Sequence, residues 1–205
     1  MIYARRSVHI STLAALLLLA ACSTSDIVTG SWKDSDYHHR IAKVLVIGLS
    51  KHEGRRRAFE DTLVAAFQRA DVAAAPSYRS VPLNDPLDKE AVREEVKAAI
   101  QGKDFDGVLV SHLINVDKRT TYIPPATHIE YGFYRNIVTA YSIVYSPGYL
   151  EHETVVSLET NLYDTKSGKL VWSMTSHSFN PVDAMDVIKP LSHRIINNLS
   201  AQGVI

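Results

Sequence analysis

Residues 41–50, IAKVLVIGLS, constrain this chain most. A continuous apolar run that ends in glycine, with no polar alternation, is the pattern of a central strand buried in a sheet. The next segment, RRRAFEDTLVAAFQRA (55–70), places Phe59, Leu63, Ala66, Phe67 and Ala70 at helical spacing, so one face packs on that sheet. DVAAAPSY (71–78) reads as a short second strand closed by Pro76, and Pro82 and Pro86 break the stretch after it. Asp88 is placed to cap a second helix with the buried stripe Val92, Val96, Ala99 and Ile100, and Gly102 to stop it. DGVLVSHLINVD (106–117) supplies a third strand, giving β-α-β-α-β.

The second half differs. Residues 118–150 hold six of the ten tyrosines, bracketed by Pro124-Pro125 and Pro147-Gly148. A hairpin follows, TVVSLETNLYD and GKLVWSMTSHS around a turn from Asp164 to Gly168. Val156, Leu158 and Leu162 alternate on one strand and Leu170, Trp172 and Met174 on the other, the period of a sheet with one covered face. A last helix carries the stripe Ile188, Leu191, Ile195 and Leu199, with Pro190 as a kink or its true start. The expected fold is α/β: a mixed sheet of about five strands with three helices packed on it, in the order β-α-β-α-β-β-β-α, plus a Tyr-rich insert at 118–150.

The amino terminus is of another kind. Arg5 and Arg6 precede an apolar run, Leu13 to Ala21, that fits a signal peptide and is far shorter than the roughly 20 residues that span a bilayer. The run ends Leu19-Ala20-Ala21-Cys22, which resembles the bacterial lipobox. That resemblance implies a diacylglycerol on Cys22, cleavage before it and acylation of the new amine; a plain secretory signal with a chance cysteine is the alternative. By analogy with lipoprotein sorting, Ser23 directs the protein to the outer membrane. The expected organisation is a signal peptide at 1–21, a tether at 22–31 and a single periplasmic α/β domain at 32–205.

Cys22 is the only cysteine, so the domain has no disulfide to rely on. Without Arg5 and Arg6 the mature chain has 20 Lys+Arg against 22 Asp+Glu, and no basic stripe that would answer nucleic-acid phosphates. KVLVIGLS, RRRAFED, FDGVLVSHL and LETNLYDTKSGKLVWS resemble a family of uncharacterised proteobacterial lipoproteins. The element order is similar to the α/β domain of curli-secretion-type lipoproteins, of penicillin-binding-protein activators and of the TolB amino-terminal domain. The resemblance covers core strands, so it implies a fold and carries no activity.

Two readings fit Arg55, Arg56 and Arg57 at the start of the first helix. One is local pairing of Arg56 with Glu60 and Arg57 with Asp61, Glu53 being nearby, each worth a few tenths of a kcal/mol (roughly). The other is an anion or partner contact made by guanidinium forks and helix N–H groups. His38 and His39 point to opposite faces of any strand, and no third ligand has zinc spacing, so no metal site is expected. His112 reads as a satisfied histidine on a sheet face. There is no Gly-x-Ser-x-Gly elbow and no glycosidase-like pair of acids, so no catalytic residue and no cofactor are assigned.

In the insert, YGFYRNIVTAYSIVY (131–145) has the length and aromatic rims of a barrel strand, whereas Glu151 and Glu153 on its would-be partner fit lipid poorly. The other reading makes Tyr122, Tyr131, Phe133 and Tyr134 interface anchors or a cover for the sheet. Together these features lead to an expectation: an outer-membrane, lipid-anchored, non-catalytic accessory or assembly factor that contacts an envelope protein. A subunit of an oligomeric secretion or export ring is the alternative, and an envelope hydrolase a further one. Oligomeric state and partner identity are left open.

Overall fold

A computed structural model of the chain describes residues 26–81, 89–124 and 149–205. Six strands form one mixed sheet: β1 (Asp26–Lys33), β2 (Lys43–Leu49), β3 (Ala73–Pro76), β4 (Gly107–Ile123), β5 (Tyr149–Asp164) and β6 (Leu170–Phe179). Three helices accompany it: α1 (Glu53–Arg69), α2 (Lys89–Ile100) and α3 (Ala184–Ala201). The spatial order is β1-β6-β5-β4-β2-β3. β2 pairs in parallel with β3 and β4; the pairs β4–β5, β5–β6 and β6–β1 are antiparallel.

The unbroken apolar run of β2 is explained by its two covers. Val44 and Val46 point into a core with Phe59, Leu63 and Phe67 of α1 and Leu191, Ile195 and Leu199 of α3. Leu45 and Ile47 point the other way, into a smaller core with Ala99 of α2, Phe105 and Val108. Trp172 lies at the centre of the larger core, fully buried, and its indole N–H donates to Asn198 Oδ1 at 2.8 Å, which satisfies the polar edge of the ring. α2 ends as its sequence indicates: Gly102 takes the left-handed conformation at φ 73°. Pro76 closes β3 at the edge of the sheet, where a missing N–H is tolerated.

Several expectations need correction. The sheet has six strands rather than about five, because Asp26–Lys33, placed mostly in the tether, pairs with β6 along its length. The expected tether, 22–31, thus overlaps this strand from residue 26 on. The insert is also shorter than 118–150, since β4 runs on to Ile123 and β5 begins at Tyr149. Pro190 lies inside α3 and is not its start. α3 begins at Ala184 because Asp183 Oδ1 accepts from the N–H groups of Met185 (2.7 Å) and Asp186 (3.1 Å), while Asp186 Oδ2 accepts from Asp183 N–H (3.3 Å), a complete capping box. Cys22, Asp88, Tyr131, Phe133 and Tyr134 lie outside the described residues.

Candidate functional site

The three neighbouring arginines have three different fates. Arg56 is 5% exposed and Glu60 is fully buried. Glu60 Oε1 accepts from Arg56 Nε (2.9 Å), Ser77 Oγ (2.8 Å) and Gly48 N–H (3.0 Å), and Oε2 accepts from Tyr78 N–H (2.8 Å). Arg56 also donates to Ser77 Oγ (2.8 Å) and to the Val81 carbonyl (2.7 Å). This network ties α1 to the ends of β2 and β3, with its charges paired and its lone pairs filled. Arg56 is thus structural, not a surface contact. Arg57 is exposed, pairs with Glu53 rather than Asp61, and lies over the Tyr78 ring at 5.2 Å. Asp61 instead accepts from the Tyr78 hydroxyl at 2.9 Å. Arg55 is exposed and has no hydrogen-bond or ion-pair partner among the described residues.

Arg55 borders a cleft of about 480 Å³ at the carboxyl end of β2, beside the middle of β4. Its place follows from topology. β2 ends at Leu49, paired with His112, and the chain turns away into α1, whereas β4 runs on to Ile123, so the sheet loses a strand there and leaves a crevice. One wall is Gly48, Leu49 and the first turns of α1; the floor is β4 and β5; the far wall is Pro181, Val182 and the start of α3.

The floor exists because β4 and β5 outrun their helical cover. Between Leu113 and Asn115 the register shifts by one residue, so Ile114 is an extra residue in β4. The shift keeps Leu113, opposite Leu158, on the same face as Val116, opposite Val156. Leu49, Leu113, Val116 and Val182 all line the cleft and are 45%, 51%, 42% and 92% exposed. Exposed aliphatic side chains gathered in one concavity mark a binding surface.

The polar groups of the cleft are mostly committed. Arg56 belongs to the Glu60 network; Asp183 caps α3; Ser111 accepts from Thr160 Oγ1 at 3.0 Å; His112 Nε2 lies 3.5 Å from Glu159. Arg55 and Lys118 remain, both exposed and without a partner among the described residues. The cleft is apolar with two uncommitted positive charges.

Beyond β6, the β4–β5 pair continues as a two-stranded ribbon from Lys118↔Thr154 to Ile123↔Tyr149. Tyr122 stands opposite Leu150 near its end; they are 59% and 58% exposed, and Tyr149 is 60% exposed. The ribbon is charged on both faces, with Lys118 and His152 on one and Arg119, Glu151 and Glu153 on the other. Ser157 Oγ and His177 Nδ1, 2.7 Å apart on neighbouring strands, form a contact that sequence reasoning missed. No other side chain among the described residues bonds the far nitrogen of that ring. Among the described residues, no three His, Cys, Asp or Glu side chains gather as metal ligands.

No protein-family model matches the chain, and no curated protein matches it, so neither comparison supplies the curli-secretion or TolB likeness read from the strands. Solved structures do match. A PelC dodecamer from Paraburkholderia phytofirmans is 11% identical, with 84% of this chain and 96% of that one covered and a TM-score of 0.43. Lipoprotein GNA1162 from Neisseria meningitidis is 17% identical, with 78% and 99% covered and a TM-score of 0.41.

Proposed function

We propose that the protein is a lipid-anchored, non-catalytic accessory or assembly factor of the outer membrane that works through protein contacts. The observation that carries this reading is the ribbon end. Tyr122, Tyr149 and Leu150 are large, apolar and more than half exposed at the tip of two strands that outreach the domain. Interfaces concentrate their energy in a few such side chains, about 2 kcal/mol or more each. The lipobox-like Leu19-Ala20-Ala21-Cys22 supports the anchor, with the membrane reached through acyl chains on Cys22.

The test is crosslinking of the intact lipoprotein in envelopes, read by mass spectrometry, beside a variant carrying Tyr122→Ala and Leu150→Ala. The variant should keep its melting temperature and lose the crosslinked partner. Unchanged crosslinks would move the contact surface elsewhere.

A second reading, the subunit of an export ring, is favoured by the same ribbon, which carries Ile123 and Tyr149 away from the core. The described part of the ribbon does not suit lipid, because both faces carry charge. In this reading the ribbon meets neighbouring copies outside the bilayer, and the detergent-extracted protein sediments as a large closed oligomer.

A further inference from the structure

We propose that the cleft between α1, the β4–β5 floor and the start of α3 binds a single-chain amphiphile with an anionic head, its acyl chain on the aliphatic floor and its head between Arg55 and Lys118. Three observations carry this. The lining that lacks cover is aliphatic: Leu49, Leu113, Val116 and Val182 are all exposed, and Val156 and Leu158 are half-buried beside them. Branched aliphatic walls accept a flexible hydrocarbon chain, which has no shape of its own to match. The volume, about 480 Å³, lies within the usual range for small-ligand sites, roughly 300–1,000 Å³.

The second observation is charge. Arg56 is paired with Glu60, and Asp183 caps α3 through its Oδ1, which leaves Arg55 and Lys118 as the two positive side chains in the cleft without a partner among the described residues. A cationic or neutral amphiphile gains nothing from them. A carboxylate or phosphate gains a guanidinium fork and an ammonium. The first turn of α1 also borders the cleft, and its N-cap, His52, makes no side-chain hydrogen bond to it. That adds positive potential but does not by itself make the site.

The third observation is position. Asp26 pairs with Ser178, at the end of β6 that leads directly to Pro181 and Val182 on the cleft wall. From Asp26 back to Cys22 is four residues, a reach of at most about 14 Å. With Cys22 acylated, the cleft is held at the end of the domain nearest the lipid surface. This last point rests on the proposed anchor; binding of a free amphiphile does not.

The test uses residues 22–205 with Cys22→Ala, which keeps every described residue and removes competing acyl chains. Dodecanoate and dodecyl phosphate, both below micelle formation, are titrated by calorimetry, with dodecyltrimethylammonium and hexanoate as controls. Both anionic probes should bind one per chain, and the cationic probe and short acid at least tenfold more weakly. The ratio of dodecanoate to dodecyl phosphate affinity then separates a fatty-acid source from a lysophospholipid source. Arg55→Gln with Lys118→Gln should weaken both anionic probes at least tenfold without lowering the melting temperature. Val116→Asp should abolish binding, and its fold is checked by circular dichroism.

Equal binding of the cationic probe would overturn the proposal. So would anionic binding that ignores the double substitution, or binding that appears only after residues 125–148 are excised, which would make that stretch the natural occupant. Loss of amphiphile binding leaves the anchor standing, and an unlipidated Cys22 leaves the cleft standing, so the two failures are distinguishable.

Discussion

Glu60 accepts from Arg56 at 2.9 Å one helical turn away, and neither side chain is more than 6% exposed. Removing one partner leaves the other charge buried alone. Glu60→Gln or Arg56→Ala should therefore cost about 3–5 kcal/mol, against less than about 0.5 kcal/mol for Arg55→Ala. Urea unfolding of the three variants checks the contrast. Equal small losses would mean that the pair is solvated in solution.

Gly48 is a packing requirement. A Cβ there would lie 2.8 Å from Cδ1 of the Phe59 ring, which is itself buried. Gly48→Ala should cost about 1–3 kcal/mol as the ring is forced aside. Gly54, where a Cβ meets nothing within 4 Å, should accept alanine with no loss and a gain of up to about 1 kcal/mol. Thermal unfolding of the two variants measures both.

Tyr37 should make the fold sensitive to alkali. Burial first, then the negative charges of Asp164 and Asp106, push its hydroxyl up to about 12 from 10.0. The folded state thus holds the proton that the unfolded chain releases, so this contribution is complete below pH 10 and is lost between about pH 10 and 12. Unfolding midpoints across that window should fall more steeply for the wild type than for Tyr37→Phe. Parallel curves would show that the phenol has no such linkage.

Cys22→Ala should abolish both lipid attachment and cleavage before residue 22. Intact mass of the membrane-extracted wild type is the decisive measurement: a mature chain without added acyl mass would remove the anchor.

The central fold was readable because β2 is apolar on both faces and α1 repeats its core residues at helical spacing. β1 was not readable. In DIVTGSWK only Val28 of the described residues packs on the larger core, and a register shift between Val28 and Gly30 breaks the alternation, so its strand character comes from the edge of β6. Nor did the triplet of arginines announce which member is buried. A signal was present: Arg56, Glu60, Leu63 and Phe67 lie on one stripe of α1, so extending the apolar face back by a turn places Arg56 and Glu60 inside it. The cleft had no such signal, because its walls come from segments more than 60 residues apart and its free charges are defined by which other charges are already taken.

The extra residue at Ile114 has a consequence for the rest of β4. Side chains alternate strictly along an unbroken strand, so with Ile114 counted in that alternation everything after it would be turned over; the bulge takes one residue out of the count. Without the bulge Val116 and Lys118 would point away from the face that Leu113 occupies, and Tyr122 would turn over with them. The single offset thus resets the alternation between domain and ribbon: it keeps one side of the outer strands continuous with the interior, and a chain one residue shorter there would need no bulge to do the same.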